Sequence, residues 1–131
     1  MHTEAAQKGV ALDVTPTSDE IVVDLDPLRI REVLTNLLAN AIRHTPGGGA
    51  VTLTVSNGAD GVRVIVRDTG EGMPPEQAAR IFDRFYKGSG SRGSGLGLTI
   101  AKGIITAHGG EIRAASEAGK GTSVTLTLPV Q

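Results

Sequence analysis

The sequence predicts an α+β domain on three observations. Residues 27–44 carry apolar side chains at helical spacing, residues 51–55, 62–66 and 122–128 alternate apolar with polar at the period of a half-buried strand, and glycine gathers at the junctions between such runs. At 131 residues the chain is the size of one domain.

Residues 1–8 are polar and offer no core face. They read as a linker remnant ahead of a domain over residues 9–131, so the chain is expected to be a fragment of a longer protein. Residues 10–14 and 21–25 read as short strands joined by Thr-Pro-Thr-Ser-Asp, a turn-forming composition.

The helix over 27–44 organises the rest. Asp26 can accept hydrogen bonds from the free N–H groups of its first turn, and Pro27 suits the first helical position. Ile30, Val33, Leu34, Leu37, Leu38 and Ala41 form its core face. Beside that stripe lie Asn36 and Asn40, four apart and therefore on one side, followed by Arg43 and His44 a turn later. Asparagine competes with the backbone for hydrogen bonds and is a weak helix former. Two in register are either half-exposed residues with no role or the mark of a polar ligand.

Thr45-Pro46 and three glycines end the helix. Val51, Leu53 and Val55, then Val62, Val64 and Val66, alternate on either side of Asn57-Gly-Ala-Asp-Gly61, a β-hairpin pattern. Strand parity places Asp68 on the face of the three valines, where an inward carboxylate is costly without a partner. Either a local basic group or a ligand donor satisfies it. Gly70 and Gly72 follow, spaced so that backbone can approach a flat ligand. Residues 75–81 read as a short helix, and Phe82, Phe85 and Tyr86 are all the aromatics of the chain.

Residues 88–94 form a Gly/Ser stretch with one charge, Arg92, and read as a mobile lid. Gly95-Leu96-Gly97-Leu98 feeds a helix to about residue 108, capped by Gly109-Gly110. Its glycine-rich entry leaves free N–H groups and the positive end of the helix dipole, a place for phosphates. Thr99 and Lys102 fall on an outer stripe, Lys102 reading as solvated surface. Two strands end the chain, over 111–116 and 122–128, and parity puts Thr122 with Val124, Leu126 and Leu128.

Composition excludes several classes. The 13 basic and 14 acidic residues nearly cancel, which argues against nucleic acid, and the absence of cysteine excludes disulfides and thiolate metal sites. No apolar run approaches the roughly 20 residues that span a bilayer. Gly88-Ser-Gly90-Ser-Arg-Gly93 has dinucleotide-binding spacing but follows no strand, Gly119-Lys-Gly121-Thr122 lacks the remainder of a P-loop, and His2, His44 and His108 have no zinc-ligand spacing.

Four pieces are far more specific together: Asn36-Leu-Leu-Ala-Asn40-Ala, Asp68-Thr-Gly70-Glu-Gly72, Ile81-Phe82-Asp-Arg-Phe85 and Gly93-Ser-Gly95-Leu-Gly97-Leu. With them the chain resembles the ATP-binding catalytic domain of bacterial two-component sensor histidine kinases, in the superfamily shared with gyrase, Hsp90 and MutL. The pieces look like that family's N, G1, F and G2 boxes, and the resemblance runs from residue 9 to residue 129.

The resemblance implies a two-layer α/β sandwich of the Bergerat type, a mixed, mostly antiparallel sheet with about three helices on one face. It implies ATP and Mg²⁺ as ligands. Asn40 would help to hold Mg²⁺ on the phosphates with Asn36 beside it, and these two are the expected catalytic pair. Arg43 would meet phosphate and His44 would line the nucleotide pocket. Asp68 would accept from the adenine amino group, with Thr122 supporting that contact through water and Gly70 and Gly72 closing on the base. Gly93 of the G2 box would belong to the nucleotide-binding set, and Gly95, Leu96, Gly97 and Leu98 would present N–H groups to phosphates. Phe82 and Phe85 would anchor the lid, with Lys87 or Arg92 reaching a phosphate when it closes.

ATP-hydrolysing relatives carry a glutamate base where this chain has Asn36, and an amide takes no proton at neutral pH. The implied task is transfer to a histidine on a dimerisation domain that this sequence does not match, with a response regulator downstream. Rival readings are a regulatory module that senses ATP without catalysis, and a serine kinase or ATPase of the same superfamily. The isolated domain is expected to be a cytoplasmic monomer without membrane contact, whether or not its parent is anchored in the inner membrane.

Overall fold

The computed structural model describes residues 9–15, 27–58, 61–82 and 97–129. Five strands form one sheet: β1 (Ala11–Thr15), β2 (Ala50–Gly58), β3 (Gly61–Asp68), β4 (Glu111–Ser116) and β5 (Thr122–Leu128). Their spatial order is β1-β2-β3-β5-β4, with β1 parallel to β2 and every other pair antiparallel. A long connection between β1 and β2 carries α1 (Pro27–Arg43), as a parallel pair requires. The other helices are α2 (Pro75–Ala78) and α3 (Gly97–Ala107). The mixed sheet with helices on one face is the architecture the sequence predicts.

The alternation along the strands builds the two layers. Val62, Val64 and Val66 of β3 and Val124, Leu126 and Leu128 of β5 are buried, whereas Arg63 and Arg67, on the other face of β3, are exposed. Onto this apolar face α1 lays Val33, Leu37, Leu38, Ala41 and Ile42, with Ile30 and Leu34 packed at the margin. Ala101 and Ile105 of α3 complete the contact with α1. Each large aliphatic side chain so buried contributes about 1.5–3 kcal/mol, which is why a core with almost no aromatic residues holds.

The end of α1 is fixed by Thr45, which is fully buried and whose hydroxyl donates to the Ala41 carbonyl at 2.7 Å. The turn that follows is tied to the start of the sheet, Gly48 N–H donating to the Gly9 carbonyl at 2.8 Å and Ala11 N–H to the Gly49 carbonyl at 3.0 Å.

The short helix is shorter than 75–81, a single turn over Pro75–Ala78 with no side-chain cap. A four-residue helix makes too few internal hydrogen bonds to persist without packing, and only Ala78 of its residues is buried. The strand expected at 21–25, Asp26 and the Gly/Ser stretch at 88–94 lie outside the described residues. Among the described residues no helix is long and apolar enough to cross a membrane.

Candidate functional site

Register turns the parity argument into a place. Three successive rungs cross the sheet on the core face. Val55, Val64, Leu126 and Ile112 form one, and Leu53, Val66, Val124 and Ala114 the next. The last contains Val51, Asp68, Thr122 and Ser116, so three of its four residues are polar. Asp68 and Thr122 are only 6% and 7% exposed.

Two backbone N–H groups make the buried acid tolerable. Gly70 donates to Asp68 Oδ1 at 2.9 Å and Thr122 to the same oxygen at 3.2 Å, which leaves Oδ2 for another donor. Burial pushes the carboxyl above its ordinary pKa, while the bonds from Gly70 and Thr122 and the charge of nearby His44 pull the other way. A carboxylate held this way is a strong acceptor that lacks a full complement of donors.

The loop after Asp68 is clamped from both sides. A side chain at Gly70 would run into the His44 carbonyl, and one at Gly72, whose φ is +68°, into the Glu117 carbonyl. Gly119 N–H donates to the Glu71 carbonyl at 2.6 Å and Met73 N–H to Ser116 Oγ at 2.9 Å. The two glycines therefore already have protein neighbours that require them, besides whatever approach they allow a ligand.

His44 links this corner to α1. It follows the helix directly, its N–H donating to the Asn40 carbonyl at 3.1 Å. Asn40 and Asn36 lie one and two turns back, about 6 Å and 12 Å along the axis from His44, both half-buried. Asp68 thus feels the charge of His44 at the end of α1, and Asn40 and Asn36 follow back along that helix. Amide oxygens are hard, neutral donors that suit Mg²⁺ completed by phosphate and water oxygens, so the pair fits that ion. Among the described residues no group of three His, Cys, Asp or Glu gathers to hold a metal without such help.

Arg43 is exposed at the helix end, and Phe82 is buried in the core. Gly97 opens α3, and Leu98 is half-buried against the core. Phe85, Lys87, Arg92, Gly93, Gly95 and Leu96 lie outside the described residues. Thr99 departs from the outer stripe expected of it: it is half-buried, and its hydroxyl donates to the Phe82 carbonyl at 3.1 Å, tying α3 to the chain beyond α2. Lys102 is exposed, as expected.

Ser116 escaped sequence reasoning. The signal was available, since Ile112, Ala114 and Ser116 share one face of β4 by the same parity that singles out Asp68.

The chain belongs to the family described as histidine kinase-, DNA gyrase B- and HSP90-like ATPases, whose pattern matches residues 25–131. Sensor histidine kinase WalK of Bacillus subtilis is 41% identical over 117 residues, 84% of this chain and 19% of that protein. Sensor histidine kinase CusS of Escherichia coli O157:H7 is 42% identical over 130 residues, 95% of this chain and 26% of that protein. This chain thus spans about a fifth to a quarter of the length of those relatives. Among solved structures, full-length ShkA in complex with AMPPNP superposes with a TM-score of 0.85 at 34% identity, over 98% of this chain and 27% of that one.

Proposed function

We propose that this domain binds Mg·ATP and is the catalytic half of a sensor histidine kinase, passing the γ-phosphoryl group to a histidine on a separate dimerisation domain and, through it, to a response regulator. The observation that carries the reading is the buried Asp68–Thr122 pair beside His44, in line with Asn40 and Asn36. The relatives are sensor histidine kinases by name, and a similar structure is held with an ATP analogue.

Asp68 would accept from the amine of adenine, with Thr122 next to it and Gly70 and Gly72 shaping the wall of the base pocket. Asn40 and Asn36 would hold Mg²⁺ at the phosphate end. The ion would supply charge neutralisation on the phosphates. The N–H groups at the start of α3 face no residue before them in the helix and would take phosphate oxygens, with Lys87 or Arg92 added from the lid. Transfer forms a P–N bond to the histidine as the P–O bond to ADP breaks, and it needs positioning and charge more than a protein base. Asn36, which cannot activate water, fits transfer in preference to hydrolysis.

Mixing the domain with ATP, Mg²⁺ and a histidine domain from a matching kinase tests this. Acid-labile phosphate on the histidine domain is expected. Steady ATP hydrolysis with no transfer to several such domains would overturn it.

A further inference from the structure

Ser116 Oγ stands at the centre of three hydrogen bonds on the last rung of the sheet. It donates to the Gly121 carbonyl at 2.9 Å, accepts from Met73 N–H at 2.9 Å and lies 2.8 Å from Thr122 Oγ1. A hydroxyl has one proton and two lone pairs. The Gly121 carbonyl can only accept, so the Ser116 proton goes there. Met73 fills one lone pair, and the other is left for Thr122. The bond between the two hydroxyls is thereby given a direction: Thr122 donates and Ser116 accepts.

We propose that Ser116 is a specificity-determining positioning residue, which turns the Thr122 proton away from the base pocket so that a base meets only acceptors, the Thr122 oxygen and the Asp68 carboxylate. This rests on the nucleotide reading above and adds to it. Adenine carries an amine with two protons where guanine carries a carbonyl oxygen. Against two acceptors the amine is welcome and the carbonyl repelled. A water bound between Asp68 and Thr122 would be oriented by the same rule, donating to both. Without Ser116 the Thr122 hydroxyl is free to rotate and offer its proton to guanine, and Asp68 alone is left to discriminate.

Binding of ADP and GDP, each with Mg²⁺, is measured by calorimetry on the whole chain for the wild type, Ser116→Ala, Ser116→Thr and Asp68→Asn. The wild type is expected to prefer ADP. Ser116→Ala narrows that preference by roughly fivefold or more, mainly by tighter GDP binding. Ser116→Thr, which keeps the hydroxyl, restores it. An equal loss of affinity for both nucleotides, or an unchanged ratio, would mean that Ser116 only braces the loop, and the proposal falls. Should the alanine variant not fold, Ser116→Cys keeps the shape with weaker hydrogen bonds and carries the same expectation. A wild type without base preference, or an Asp68→Asn variant that keeps the full preference, overturns the adenine reading itself; an altered Asp68→Asn ratio beside an unaltered Ser116→Ala ratio overturns only the role of Ser116.

Discussion

Asp68 and Thr122 face each other directly across β3 and β5, and the Thr122 N–H donates to Asp68 Oδ1 at 3.2 Å. The carboxylate at the end of an apolar row is therefore held by the strand beside it, and the bonds it receives do not fully offset its burial. That shortfall leaves room for an outside donor, which is what the proposed contact with a base would supply.

Replacing Asp68 by Asn separates stability from binding. The amide keeps an oxygen for Gly70 and Thr122 and sheds the cost of a buried charge, so the nucleotide-free domain is expected to be at least as stable as wild type at pH 7. ATP binding is expected to weaken by ~1–3 kcal/mol as a charged acceptor is lost. The pH dependence follows from the sign of the shift. The folded-state pKa lies above the 3.8 of an unperturbed aspartate, so the contribution of Asp68 to stability is fully present below 3.8 and is lost as pH rises through the folded value. The stability advantage of Asp68→Asn should therefore shrink as pH falls from 7 through that value. Denaturant unfolding of both proteins across that range checks it, and an advantage that grew on acidification would contradict the burial argument.

Asn40→Ala tests the other end of the site. Alanine is the better helix former by up to about 0.7 kcal/mol, so the free domain should lose no stability through helix propensity. Nucleotide binding in the presence of Mg²⁺ is expected to vanish. A ligand at 100 times its dissociation constant adds ~2.7 kcal/mol to a folded protein, so a thermal shift with Mg·ATP should be plain in the wild type and absent in the variant. A wild-type shift in Asn40→Ala would remove the asparagine pair from the site.

Much of this corner was legible because strand parity and helix spacing are local rules. Asp68 and Thr122 each fall at the end of a core-facing row that can be counted in the sequence, and Asn36 and Asn40 share a face by their separation of four. The direct opposition of Asp68 and Thr122 was not legible, because it depends on β5 slotting between β3 and β4 and on a register that no local pattern states. Parity does put Ser116 on one face with Ile112 and Ala114, but its importance comes from being across from Thr122, which rests on that same register. The glycines show a different limit. Sequence can say that Gly70 and Gly72 leave room, but only the fold says that the His44 and Glu117 carbonyls border it. Thr99 falls on an outer stripe by spacing, and only the fold brings its hydroxyl to the Phe82 carbonyl.

Gly70→Ala should therefore damage the fold as well as the pocket. The added methyl would meet the His44 carbonyl and lie 2.9 Å from Asp68 Oδ1, and both neighbours are anchored, one at a helix end and one on a strand. Overpacking of this kind costs about 1–3 kcal/mol, to be read in urea unfolding without nucleotide. Affinity for ATP should fall as well, since relief of the clash moves either His44 or the carboxylate. An alanine variant as stable as wild type would show that the loop yields more easily than its clamps imply.

Thr45 offers the last test, because its two halves do separate things. The hydroxyl satisfies the Ala41 carbonyl at the end of α1, and the methyl group fills the space beside Gly49. Thr45→Val keeps the volume and removes the donor, leaving a buried carbonyl short of a partner at a cost of about 1–3 kcal/mol. Thr45→Ser keeps the bond and removes one methyl, worth about 0.8 kcal/mol. If the hydrogen bond is what sets the exit of α1, the valine variant should be the less stable of the two and should also lose ATP affinity, because His44 is the residue between that exit and Asp68. Greater damage from serine would instead make packing against the turn, and not the cap, the feature that places His44.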